Sequence, residues 1–223
     1  FAQRKPWYTR QEMDTLPAAQ AALRGREIAY LSDPIDVLAL HIQGSGRLRV
    51  TEPTGEQKII RGAGAGTNDH PYQSVGRWLL DRGLIRDASW PSIKAWMVST
   101  QQNNPRLVQE MFWSNPRYVF FREETRSGAD MSLGPRGAQG VPLTAGRSIA
   151  VDKDSIPYAT PVWLASEGVN GSLQRLVFAQ DTGSAIVGAV RADLFMGTGV
   201  AAGELAGRMK QSMRWWALSP RSP

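Results

Sequence analysis

The sequence predicts a β-rich chain with helices, a mixed α/β part followed by a small β-barrel. Three observations carry this. Helical and strand-like patterns interleave over residues 1–126. A loose, polar, glycine-rich stretch, Ser127–Gly140 (SGADMSLGPRGAQG), then reads as a linker. Over residues 141–223 short apolar runs recur between turns, a spacing that favours a barrel over a sandwich.

Taken in order, Pro17–Arg24 is Ala-rich and stops at Gly25, the pattern of a short helix. Val37–Gln43 (VLALHIQ) and Arg47–Glu52 (RLRVTE) flank Gly44-Ser45-Gly46 and read as a hairpin. Gln57–Arg61 reads as a third strand ahead of the glycines at 62–66. Ser74–Asp81 places Val75, Trp78 and Leu79 on one helical face, and Ile93, Trp96 and Met97 repeat that spacing. Asn104-Pro105 opens a further helix as cap and first position. Tyr118–Arg122 (YVFFR) returns to strand. Strands are then expected at Ile149–Val151, Pro161–Ala165, Leu176–Gln180, Ala185–Val190 and Arg214–Ser219, with a helix at Ala201–Gln211. Trp215 and Trp216 are adjacent in a strand and must point to opposite faces.

Composition narrows the chemistry. Among 223 residues there is no cysteine and there are two histidines, which excludes disulfides, thiolate nucleophiles, Cys-ligated zinc and His-rich metal sites. The net charge of +6 suits an anionic polymer, but the basic residues are scattered and form no nucleic-acid motif. No apolar stretch approaches the roughly 18 residues of a membrane helix. No nucleic-acid partner is expected.

Leu176–Gly199 (LVFAQDTGSAIVGAVRADLFMGTG) concentrates the chemistry that remains. An apolar run delivers Asp181 into a Thr182-Gly183 turn, and Asp193 opens the next segment. A carboxylate at the end of a buried strand is held half out of water, which raises its pKa. Val177, Phe178, Ile186 and Val187 are the residues expected to desolvate it. The same Asp-Thr-Gly would suit an aspartic peptidase, but that chemistry needs two such loops, so one loop per chain would demand a homodimer.

Seven segments in order resemble the lytic murein transglycosylase A family: LHIQGSGR (Leu40–Arg47), AGTNDHPYQSVGRWLLDRG (Ala65–Gly83), NPRYVFFR (Asn115–Arg122), AQGVPLTAGRS (Ala138–Ser148), VDKDSIPYATPVWL (Val151–Leu164), QDTGSAIVGAVRADLFMG (Gln180–Gly197) and AGRMKQ (Ala206–Gln211). The last third also resembles the three-aspartate barrel domain, its acids falling on Asp152, Asp181 and Asp193. The resemblance implies a double-psi β-barrel domain (141–223) and a second, mixed α/β domain (1–126), with a glycan groove between them. It implies cleavage of the β-1,4 bond between N-acetylmuramic acid and N-acetylglucosamine, releasing a 1,6-anhydro product, with no cofactor and no metal. Asp181 is the implied catalytic acid and base, with Asp152 and Asp193 as supporting acids. Gln43, Gly44, Ser45, Gly46, Thr67, Asn68, His70, Tyr72, Thr182 and Gly183 are the implied substrate contacts. The implied partner is the peptidoglycan glycan strand, the implied location the periplasm or outer membrane, and a monomer is expected.

A lone acid is chemically sufficient here. Ordinary glycosidases need paired carboxylates, about 5–5.5 Å apart when retaining and about 6.5–9.5 Å when inverting, unless the substrate's own acetamido group assists. Asn68-Asp69 also reads as a helix cap, and Asp152 and Asp193 as turn-capping acids. The sequence departs from the family pattern at Gly64, at Asp69 and Ala159 (both in place of glycine), and at Ser184 and Val187. The family carries a longer section ahead of Phe1, so the barrel of this chain is expected to be incomplete in its N-terminal part and any lipid anchor to lie upstream. A non-catalytic murein-binding fragment is the alternative reading.

Overall fold

The computed structural model describes residues 6–124, 133–168, 171–209 and 211–220, and divides into two compact units, Phe1–Thr125 and Arg126–Pro223. In the first unit, α1 (Arg10–Thr15), α2 (Pro17–Leu23) and α3 (Pro34–Gln43) precede β1 (Ser45–Thr51) and β2 (Gln57–Thr67). Then come α4 (Val75–Asp81), α5 (Trp90–Gln101), α6 (Pro105–Trp113) and β3 (Val119–Glu123). The three strands form an antiparallel sheet in the order β1-β2-β3. Ile35, Leu38, Val75, Leu79, Ile93, Met97, Val108, Met111 and Phe112 make the core, contributed by α3 to α6. Each of those helices starts on a side-chain cap, from Asp33, Ser74, Ser89 and Asn104. The cap of α4 is therefore Ser74, and the expected capping by Asn68-Asp69 is not found.

Val37–Gln43 is helix, not strand. Asp33 accepts from the Ile35 N–H, Pro34 fills the first turn, and Ile35, Leu38 and His41 are buried at helical spacing. Gly44 ends α3 in the left-handed conformation (φ 72°), so Gly44-Ser45-Gly46 is a helix-to-strand turn rather than a hairpin tip. The helix α1, absent from the sequence reading, is announced by a complete capping box between Thr9 and Glu12. β2 extends through the glycines at 62–66, where its register with β3 shifts between Gly64 and Gly66.

The second unit carries β4 (Ser148–Val151), β5 (Pro161–Gly168), β6 (Gly171–Asp181), β7 (Ala192–Leu194), α7 (Val200–Gly207) and β8 (Met213–Ala217). One sheet runs β7-β4-β6-β5-β8, with β4 and β6 parallel and the other neighbours antiparallel. Ile149, Val151, Val162, Leu164, Val177 and Ala179 fill its inner face. Trp215 packs against that core while Trp216 is exposed, as their alternation requires. The mixed α/β unit and the β unit match the predicted fold class.

Two expectations fail in this unit. Ala185–Val190 is a loop: Ile186 alone is buried, and Val187 and Val190 stand 73% and 81% exposed. Of the expected linker, residues 127–132 lie outside the described residues, and 133–140 are not loose. Gly137 N–H donates to Val141 O, Gln139 N–H to Gln180 O and Leu143 N–H to Pro135 O. A Cβ on Gly137 would lie 2.3 Å from Gln180 O, so only glycine fits this approach. Asp69 (φ 61°) and Ala159 (φ 68°) are the non-glycine residues with left-handed backbone among the described residues. Both are positions where the resemblance stated above led to the expectation of a glycine.

Candidate active site

Asp181 is the last residue of β6, half-buried, where β6 bulges so that Ala150 faces Asp181 after Ile149 faces Ala179. A bulge re-aims the side chain beyond it. A chain of polar contacts fixes the residue before Asp181: Thr144 N–H donates to Ser148 Oγ (2.8 Å), whose hydroxyl donates to Gln180 Oε1 (2.5 Å). Ser148 is fully buried.

Opposing influences act on the Asp181 carboxyl. Burial, the largest, raises its pKa, while the N–H groups of Ala138 and Thr182 stabilise the carboxylate and lower it; the net direction is up. The Ala138 N–H reaches Oδ1 at 2.9 Å. Val177 and Ile186 are buried in this unit, but Phe178 is 38% exposed and Val187 faces solvent, so those two do not supply the expected desolvation. Thr182 turns its hydroxyl inward, donating to Val151 O at 2.7 Å, and Gly183 O accepts from Ile186 N–H at 2.9 Å. Both shape the turn through contacts within the protein.

The other two acids differ from Asp181 and from each other. Asp152 accepts from Gly188 N–H (2.8 Å) and Asp154 N–H (3.1 Å), and these bonds hold its pKa below the usual carboxylate value. It anchors the 184–190 loop to the end of β4. Asp193 is exposed and pairs with Arg191 (3.4 Å). In the sheet, Asp193 on β7 and Asp181 on β6 flank the same residue of β4, Ala150.

In the first unit, Gln43, Ser45 and Gly46 line a groove of about 430 Å³, and Gly44 O accepts from Gly64 N–H at 2.8 Å. Thr67 Oγ1 accepts from Asp69 N–H, and Tyr72 is half-buried. Asn68 is 1% exposed. Its Nδ2 donates to Tyr8 O and Pro116 O, and its Oδ1 accepts from Tyr118 N–H. That spends the whole amide on the backbone, so Asn68 is a clasp rather than a substrate contact. His70 Nε2 donates to Trp7 O at 2.7 Å, tying the same N-terminal segment.

A second buried cluster, which the sequence reading missed, lies beside this clasp. Arg10 is 6% exposed and donates to Asn115 O and Arg117 O, with Nη2 at 3.2 Å from His41 Nδ1. Val119 N–H also donates to that nitrogen, so the proton of His41 sits on Nε2. Burial first, and the Arg10 charge second, push the His41 pKa down to about 3. The Thr9–Glu12 capping box is the one sequence signal that leads to this cluster, because it sets the helix carrying Arg10. The Ala138 N–H on Asp181 has no sequence signal, being a backbone group delivered by the tertiary fold.

Comparison with known proteins agrees with this layout. The MltA specific insert domain matches residues 2–122 and the 3D domain matches residues 147–219. The chain is 32% identical over 210 residues to the membrane-bound lytic murein transglycosylase A of Vibrio cholerae, covering 89% of this chain and 54% of that protein. Solved structures are similar as well. The membrane-bound lytic murein transglycosylase of Agrobacterium tumefaciens has a TM-score of 0.81 at 34% identity, over 96% of this chain and 57% of that one. MltA of Escherichia coli with bound chitohexaose has a TM-score of 0.77 at 27% identity, over 95% and 61%. The chain spans about half the length of the curated relatives it matches. The insert-domain match alone covers more than half of the sequence, and it has no place in an aspartic peptidase. The chain belongs to the MltA family, that of the membrane-bound lytic murein transglycosylases A.

Proposed function

We propose that this chain acts on peptidoglycan in the cell envelope as a lytic transglycosylase, cleaving the β-1,4 bond from N-acetylmuramic acid to N-acetylglucosamine with Asp181 as its one acid and base. The observation that carries this reading is the environment of Asp181. Burial favours the protonated acid needed to donate to the leaving glycosidic oxygen. The N–H groups of Ala138 and Thr182 then hold the carboxylate that remains. That carboxylate takes the proton of the muramyl 6-hydroxyl as its oxygen attacks the anomeric carbon, closing the 1,6-anhydro ring without water. The substrate's acetamido oxygen stabilises the anomeric centre, which is why a single protein carboxylate suffices. Chitohexaose bound to the E. coli relative supports a β-1,4 N-acetylhexosamine chain as ligand.

Asp152 and Asp193 have positioning roles in this scheme. Asp152 is held ionised by two backbone N–H groups, which disqualifies it as the starting acid. Gln43, Ser45 and the Gly44 and Gly46 backbone offer amide, hydroxyl and peptide groups to the sugar. Mass spectrometry of peptidoglycan digests tests the proposal. Anhydromuropeptides from the parent, with a loss of at least about 10²–10⁴-fold in Asp181→Asn, are expected for removal of the proton-transfer group. Reducing-end products would contradict the mechanism. Glycan binding with no product from the parent would support the binding-fragment reading.

A further inference from the structure

Ser148 opens β4 and is fully buried, beside the apolar core residues Ile149 and Val151 of the same strand. Its main chain is held without help from the side chain: Ser148 N–H donates to Thr144 O (3.0 Å), and Ser148 O accepts from Phe195 N–H (2.9 Å). An alanine would keep both bonds, so the strand does not need the hydroxyl to form. A buried hydroxyl is costly unless it is bonded, and this one is bonded twice, from Thr144 N–H and to Gln180 Oε1. Gln180 is in turn the extra residue of the β6 bulge. Ala179 and Asp181 have register partners on β4, and Gln180 between them has none.

The 135–143 segment takes the carbonyl that the bulge releases. Arg136 and Pro142 form a β-bridge, Leu143 N–H donates to Pro135 O and Gly137 N–H to Val141 O, so the segment is a tight hairpin. Its tip lays two successive N–H groups on two successive residues of β6: Gln139 on Gln180 O (3.1 Å) and Ala138 on Asp181 Oδ1 (2.9 Å). The hairpin then exits into Thr144, whose N–H returns to Ser148 Oγ and closes the circuit. One group opposes the closed hairpin: Gln139 Oε1 is buried with no hydrogen-bond partner among the described residues. Each bond that seats the hairpin therefore counts. No charged side chain bonds Asp181 among the described residues. Asp193 pairs with Arg191, Asp152 accepts from Gly188 N–H, and Arg136 on the hairpin donates to Gly140 O.

We propose that Ser148 is a positioning residue for Asp181: acting through Gln180, it keeps the hairpin seated and the Ala138 N–H on the carboxyl group. This rests on Asp181 being the acid of the reaction proposed above. Carbon-13 titration of the carboxyl groups in the whole chain tests it with Ser148→Ala, Gln180→Met and the double variant. The Ala138 N–H stabilises the carboxylate, so loosening it makes Asp181 hold its proton more tightly. The expected change is about tenfold, the scale of one hydrogen bond to a charged group. Both single variants should show that rise, and the double variant no more than either, because the two residues act in one line. Asp152, at the other end of β4, should titrate as in the parent, which a general loosening of the sheet would not allow. In peptidoglycan digests the alkaline limb of the pH–kcat profile should move up with Asp181 while KM stays unchanged. An Asp181 titration unchanged in both single variants, additive shifts in the double variant, or an Asp152 that moves with Asp181 each overturns the positioning role and leaves the transglycosylase reading intact. A parent that yields no anhydromuropeptide overturns that reading, while the titration still decides how the carboxyl is positioned.

Discussion

The two units each hold a cluster of polar side chains, and the clusters are built on opposite principles. In the first unit, Asn68, Arg10 and His41 are buried; the Asn68 amide is taken up by backbone atoms, and Arg10 bonds two carbonyls and the His41 Nδ1. The histidine, the residue most often chosen for proton transfer, is locked neutral there and serves as scaffold. In the second unit, Asp181 is half-buried, raised in pKa by desolvation and only partly compensated by two N–H groups. A saturated cluster fixes geometry; an incompletely compensated acid retains chemical capacity. Residue type alone would have assigned these roles the other way round.

Breaking the saturated cluster should have the largest effect on stability. Asn68→Ala orphans two carbonyls and one N–H that lie inside the fold, at about 1–3 kcal/mol for each unsatisfied group. A loss of about 3–5 kcal/mol in urea unfolding is expected, and a loss under about 1 kcal/mol would mean that water replaces the amide. His41 gives the cluster its pH dependence. Its folded pKa lies below the ordinary value of 6.5, so its contribution is complete above that pH and is lost as pH falls toward about 3. Stability should therefore fall by up to about 1.4 kcal/mol per pH unit through this window. His41→Asn should lack that slope while being less stable at pH 7.

The second cluster can be tested through its glycines. Gly137→Ala drives a Cβ into Gln180 O and displaces the segment carrying the Ala138 N–H. It should cost about 1–3 kcal/mol, as overpacking does, and lower turnover in the same variant. Ala159→Gly is the opposite case and the smallest effect. It relieves a left-handed alanine, for a gain of roughly 1 kcal/mol in thermal unfolding, with turnover unchanged. Asp69→Gly should gain less, because aspartate tolerates that conformation.

The placement of Asp181 was legible because the signal is local, an apolar run ending in Asp-Thr-Gly. The identity of α3 was not read correctly, because seven mostly apolar residues fit either period. The deciding signals stood outside the run, in Asp33-Pro34 before it and Gly44 after it. Ala185–Val190 has strand composition, but its backbone is fixed by Asp152 on Gly188 N–H, a contact between residues 36 apart in sequence. Asn68 reads as a polar loop residue and gives no hint that three backbone partners enclose it. Non-local hydrogen bonds are the part of this fold that local pattern does not carry.

The contrast between Asp181 and Asp152 decides which carboxyl starts as the acid, and carbon-13 NMR titration of both groups tests it without requiring turnover. Asp181 should titrate above the ordinary aspartate value and Asp152 below it. Asp181 titrating at or below that value would contradict its role as the starting acid, and an Asp152 titrating above it would transfer that role to the wrong strand.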